Sequence, residues 1–134
     1  MTTTEGALDV ADRLELHEIP ALYGDLIDAR DWPGLAAVFT DDAVFEITVK
    51  GTLVLRGLDA IRAHMDSTDA HPLAHLMVNI RVAGGDPVRL HSRVLGILPG
   101  RLVGSGSYVD EVVRTPAGWR IRHRRFTMLR VPRA

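Results

Sequence analysis

The chain has 134 residues, 46% of them hydrophobic, enough to bury one core and not two, so a single domain over residues 1–134 is expected. It contains no Cys, which excludes a disulfide scaffold, a thiolate zinc site and a cysteine nucleophile together. The formal net charge of -1 conceals an asymmetry, because residues 1–67 carry 13 Asp+Glu against 5 Lys+Arg (-8) while residues 68–134 carry 4 against 11 (+7).

The acidic half reads as helical. Leu16, Ile19, Leu22, Tyr23, Leu26 and Ile27 recur at helical spacing and predict one amphipathic helix from about Asp9 to Ala29, with Asp9 as its N-cap. Pro20 falls inside that stripe and removes a backbone donor, so a kink or a fresh start is expected there. The Asp31-Trp32-Pro33 opening and the apolar spacing of Trp32, Leu35, Val38 and Phe39 predict a short second helix, about Trp32 to Phe39. Val44, Phe45, Ile47, Val49, Leu53 and Leu55, broken by Lys50-Gly51, predict a strand hairpin, and a third helix over about Leu58 to Met65 follows Gly57.

From Leu73 onward the period changes to two. Segments at about 73–83, 87–98, 102–114 and 118–130 are separated by Gly84-Gly85-Asp86-Pro87, Pro99-Gly100 and Thr115-Pro116-Ala117-Gly118, all strong turn chemistry. Long strands joined by tight turns form an antiparallel meander. The expected fold class is therefore α+β, with about three N-terminal helices on one side of a mostly antiparallel sheet. Strands this long accumulate twist, and a strongly curved sheet with a helix across its mouth encloses a pocket.

The spaced sets Tyr23-x4-Asp28-x2-Asp31-Trp32, Leu35-x3-Phe39-x2-Asp42-Ala43, Gly57-x2-Ala60-Ile61, His75-x3-Asn79, Gly106-x-Tyr108-x-Asp110 and Gly118-Trp119-Arg120-Ile121-x2-Arg124 occur in this order along nearly the whole chain. In them the sequence resembles the SnoaL-like branch of the nuclear transport factor 2-like superfamily. The resemblance implies a cone-shaped α+β fold around a small-molecule pocket. It also implies functional residues like those of the superfamily's scytalone dehydratase and bile acid 7α-dehydratase, which use a helix Tyr and Asp with a pocket His: here Tyr23, Asp28 and His75. The fold hosts isomerases, hydrolases, cyclases and non-catalytic members as well, so it does not by itself dictate a reaction.

Read as residues, Asp28 stands near the C-terminal end of the first helix. There the dipole and an apolar pocket would favour its holding a proton, the alternative being an ion pair with Arg30 or a strand Arg. Strict alternation places His75, Met77, Asn79 and Arg81 on one face and Ala74, Leu76, Val78, Ile80 and Val82 on the other. The first face suits a ligand wall, with a proton-transfer group, an amide and an adaptable thioether. Tyr108 and Asp110 share a face and could add polar groups to the cavity. His123 shares a face with Trp119 and Ile121 by alternation, as a core or pocket His, whereas His91 belongs with Arg89 and Arg93 on a surface or interface. His17, His64 and His71 fall on helix or loop. Catalytic Asp28, His75 and Tyr23, with Asn79, Met77, Tyr108, His123 and Trp32 against substrate, make up the expected site.

His17-Glu18 lacks a second His four residues on, and Gly104-Ser105-Gly106 lacks the third Gly of a dinucleotide fingerprint, so neither a metal nor a cofactor is expected. Arg120, Arg122 and Arg124 alternate as if on one strand face, but aromatics are only 5% of the chain, so nucleic acid is not an expected partner. No apolar run approaches the roughly 18–20 residues of a membrane span, and the N-terminus lacks a signal-peptide pattern, so a cytoplasmic, membrane-free protein is expected. The expected activity is a cofactor-independent dehydratase-type lyase, or an isomerase or cyclase, on a hydrophobic cyclic or polyketide-like molecule. A non-catalytic binding or dimerisation domain is the alternative. The apolar row Leu76, Val78, Ile80 predicts a homodimer through the outer sheet face.

Overall fold

The computed structural model describes residues 7–129. Helix α1 covers Val10–Asp28, and a 3-10 turn at Pro33–Ala37 leads to strands β1 (Phe39–Thr48) and β2 (Thr52–Arg56). Helix α2 (Leu58–Asp66) precedes β3 (Ala74–Ala83), β4 (Val88–Leu98), a 3-10 turn at Pro99–Arg101, β5 (Leu102–Thr115) and β6 (Gly118–Met128). The predicted last strand extends to residue 130, which lies outside the described residues. The strands form one curved six-stranded sheet in the order β2-β1-β6-β5-β4-β3, antiparallel except where β1 runs parallel to β6.

Asp9 caps α1 reciprocally: its carboxylate accepts from the Asp12 N–H at 2.8 Å, and Asp12 Oδ2 accepts from the Asp9 N–H at 3.1 Å. The helix runs through Pro20 without a fresh start, because Leu16, Ile19, Pro20, Tyr23, Gly24 and Ile27 form one buried stripe. Tertiary burial of that stripe outweighs the single backbone bond lost at Pro20. Two α-helices form among the described residues, not three. The stretch expected as a second helix is the 3-10 turn, since Arg30 at φ 54 ends α1 and β1 already begins at Phe39, leaving too few residues for stable α-helical turns.

Two irregularities in the sheet reverse the faces that simple alternation assigns. In β3 the register slips between Val78 and Arg81, with Asn79 at φ 52, so one extra residue bulges out. Before the bulge, His75 and Met77 face α1 while Leu76 is exposed; after it, Ile80 and Val82 turn inward to the core and Asn79 and Arg81 are exposed. In β6 the register slips between Ile121 and His123, opposite Val112 and Glu111. Ile121 and Arg124 are therefore both buried, while His123 lies on the outer face and Arg122 is exposed. Arg120, Arg122 and Arg124 thus share no face.

A small part of the charge asymmetry closes in ion pairs within the domain. Arg114 of the basic half pairs with Asp12 at 2.7 Å and Arg125 with Glu46 at 3.3 Å. No helix among the described residues is long and apolar enough to cross a membrane.

Candidate active site

A cavity of about 340 Å³ opens between α1, the end of α2, the α2–β3 loop, the start of β3 and the inner face of β1, β4, β5 and β6. Its walls include Phe45, Ile47, Val94 and Phe126 as apolar surface and Tyr23, His75 and Tyr108 as polar groups. Gly96 and Gly104, opposite each other in the β4–β5 register, both line it: Gly104 leaves room that a side chain would fill, while the space over Gly96 is taken by Pro72.

Asp28, the last residue of α1, reaches β3. Its Oδ1 lies 2.6 Å from His75 Nδ1, and its Oδ2 accepts the backbone N–H of His75 at 3.0 Å. Both carboxylate oxygens are therefore committed to one residue. The ion pair expected as the alternative, with Arg30 or a strand Arg, does not form: Arg30 pairs with Asp69 at 3.6 Å, and the partner of Asp28 is His75. A carboxylate on Nδ1 makes that nitrogen the N–H of the neutral ring, leaving the Nε2 lone pair free to take a proton.

The helix approaches this closely because Gly24 lies over the strand. A Cβ there would stand 3.3 Å from both His75 Cβ and Met77 Cγ. Met77 is thereby packed beneath α1, outside the cavity wall.

Tyr23 is buried against an aromatic cluster, its ring centroid 6.0 Å from Phe39 and 5.8 Å from Tyr108. Behind both tyrosines lies Arg124, fully buried, its guanidinium carbon 4.3 Å from the Tyr23 ring centroid and 3.9 Å from that of Tyr108. Asp110, equally buried, accepts from Arg124 Nε at 2.8 Å and Nη2 at 3.0 Å. Burial alone would lower the Arg124 pKa; the Asp110 charge and hydrogen bonds outweigh it and raise it, so the cation is permanent. Desolvation pushes the Tyr23 hydroxyl above its ordinary value, partly offset by Arg124, and pushes Tyr108 well above. Both phenols stay protonated at neutral pH; the Tyr108 hydroxyl donates to that of Tyr23, which leaves the Tyr23 O–H to donate to a ligand oxygen.

The structure thus brings Tyr23, His75 and Tyr108 to one cavity, with Asp28 behind His75. Asn79 does not join them: the β3 bulge turns it out to solvent. His123 lies on the opposite face of the sheet, where its Nε2 meets Glu46 Oε2 at 2.6 Å. Trp32 stands behind the wall, its indole N–H donating to Asp66 Oδ1 at 3.0 Å and its ring against His71. Two wall residues had no signal in the sequence. His64 and His71 line the cavity because α2 and its following loop fold over the sheet, a path that no local periodicity encodes.

A family model described as a SnoaL-like domain matches residues 9–125. The uncharacterized protein Rv2910c of Mycobacterium tuberculosis (strain ATCC 25618 / H37Rv) is 30% identical over 129 residues, covering 87% of this chain and 84% of that one. Among solved structures, a protein from Novosphingobium aromaticivorans DSM 12444 provisionally assigned as a scytalone dehydratase superposes with a TM-score of 0.74 at 20% identity, covering 96% of this chain and 89% of that one. LinA superposes with a TM-score of 0.73 at 21% identity, covering 93% and 91%. At these identities the two structures are alike in fold.

Proposed function

Because the chain belongs to the SnoaL-like domain family, we propose that its cavity is an active site and that it works as a cofactor-independent lyase of the dehydratase type. The substrate is a hydrophobic cyclic or polyketide-like ketone, and an isomerase or cyclase would use the same first step. The observation that carries this reading is the 2.6 Å contact between Asp28 and His75 at the wall of an apolar cavity. His75 Nε2 takes the proton next to the carbonyl. Asp28 holds the ring in the required tautomer and stabilises the imidazolium that forms. The Tyr23 hydroxyl, with Tyr108 beside it, donates to the carbonyl oxygen as negative charge develops there, an interaction worth more in a dry site than in water. The provisional name of the Novosphingobium neighbour supports the same chemistry.

The volume is at the lower end of the roughly 300–1,000 Å³ usual for small-molecule sites, which suits a one- or two-ring ligand. Dehydration of 3-hydroxy-1-tetralone to 1-naphthol, followed by absorbance, is a direct probe. Wild type should accelerate it, and His75→Ala and Asp28→Asn should each lose about 10²- to 10⁴-fold. Full turnover in either folded variant overturns the assignment. Ligand binding without any turnover would leave the non-catalytic alternative.

A further inference from the structure

Accepting that reading, we infer that His71 is the general acid of the same site, the group that protonates the departing hydroxyl while His75 takes the proton from carbon. Both rings line the one cavity. They are held in opposite tautomers. At His75, Nδ1 is occupied by Asp28, so the proton that comes and goes is on Nε2. At His71, Nε2 lies 2.8 Å from the Met65 carbonyl oxygen, which can only accept, so Nε2 carries a hydrogen in either protonation state and the exchangeable proton is on Nδ1. The partners differ in kind as well. Asp28 stabilises positive charge on His75 after it gains a proton, whereas His71, backed by a neutral carbonyl, breaks no ion pair when it gives one up.

The loop that carries His71 is seated firmly. Its ring centroid lies 5.7 Å from that of Trp32, itself fixed through Asp66 and through Arg62 Nε, which donates to the Trp32 carbonyl at 3.1 Å. Pro72 rests directly on the sheet where β4 has Gly96: a Cβ there would stand 2.9 Å from Pro72 Cγ. The Leu73 N–H donates to the Ile97 carbonyl at 2.7 Å, so His71 enters the cavity from a loop clamped at both ends.

The protons and electrons balance. The α-C–H bond breaks to His75 Nε2, and its electron pair becomes the new C=C bond. The β-C–O bond breaks with its pair on oxygen, which takes the Nδ1 proton of protonated His71 and leaves as water. One proton is gained at His75 and one lost at His71, and exchange with solvent resets both.

His71→Gln separates the two roles, since an amide N–H can still donate to the Met65 carbonyl but cannot transfer a proton. Elimination from 3-hydroxy-1-tetralone should fall by about 10²-fold or more, while deuterium exchange at the α-carbon of 1-tetralone in D2O, which needs only the base, should stay within about twofold. Elimination from 3-acetoxy-1-tetralone, whose acetate leaves without a proton, should also stay near wild type. His75→Gln should lose all three reactions. If His71→Gln eliminates water as wild type does, or loses all three reactions together as a merely structural residue would, the assignment of His71 is overturned. Wild type that exchanges but does not eliminate also removes the acid role, and wild type inert toward all three probes overturns the proposed lyase itself.

Discussion

Asp28 Oδ1 and His75 Nδ1 lie 2.6 Å apart although 47 residues separate them, and the second carboxylate oxygen holds the backbone N–H of the same His. One side chain therefore sets both the tautomer of the imidazole and the position of the strand that carries it. Nitrogen-detected NMR of the wild-type protein should find neutral His75 with its hydrogen on Nδ1. In Asp28→Asn that preference should be lost, because the amide offers a donor and an acceptor where the carboxylate offers acceptors only. An unchanged tautomer in the variant would show that Asp28 does not govern the ring.

Gly24→Ala tests how closely the helix must approach. Helix propensity favours Ala by about 1 kcal/mol, while the new Cβ would meet His75 Cβ and Met77 Cγ at 3.3 Å. The two effects oppose each other, so thermal stability should change little. The displacement falls on His75, and turnover should drop about tenfold. A variant as active as wild type would mean that the strand yields without moving the imidazole.

Arg124 and Asp110 form a pair with no exposure on either side chain. Arg124→Met alone leaves a carboxylate uncompensated in the core and should cost about 3–5 kcal/mol in urea unfolding. Adding Asp110→Leu removes the stranded charge and should recover most of that loss. If the double variant is no more stable than the single one, packing against Tyr23 and Tyr108 dominates over charge.

Acid should destabilise the domain through Asp12. The Arg114 hydrogen bond, with those of the Asp9 N–H and Trp119, lowers its carboxyl from the ordinary 3.8 to about 2. A carboxyl whose pKa is lower in the folded chain contributes its full stabilisation above the unfolded value and loses it as pH falls toward the folded one. Glu46 acts in the same direction: desolvation would raise it, but the His123 hydrogen bond and Arg125 outweigh that and leave it lowered. Stability should therefore decline between about pH 4 and 2, and Asp12→Asn should flatten that decline. A decline of equal steepness in the variant would rule Asp12 out as its source.

Of the apolar row expected to form a dimer face, Ile80 is turned into the core by the β3 bulge, while Leu76 stays 50% exposed on the outer face beside its register partner Leu95. A homodimer through this face is expected to elute at twice 14.7 kDa. Leu76→Glu should shift it to the monomer mass. A wild-type monomer at micromolar concentration would leave this surface without a partner.

Local chemistry made much of the architecture legible in advance. Helix α1 with its Asp9 cap, the β1–β2 hairpin, α2 and the four long strands all follow from apolar period, capping residues and turn residues that act within a few positions of one another. The family resemblance added the pairing of Tyr23, Asp28 and His75, since spacing alone cannot bring α1 to β3. What the tertiary structure decided was which face each strand residue takes beyond a bulge. An extra residue at Asn79 or Arg122 reverses the alternation, and it is tolerated only because of cross-strand neighbours and core volume elsewhere in the chain. Thus Asn79 and His123 left the site and Arg124 entered the core. His71 reached the cavity for the same reason: the route of a loop is set by what it can rest on, here Gly96 and Trp32, and not by the loop's own residues.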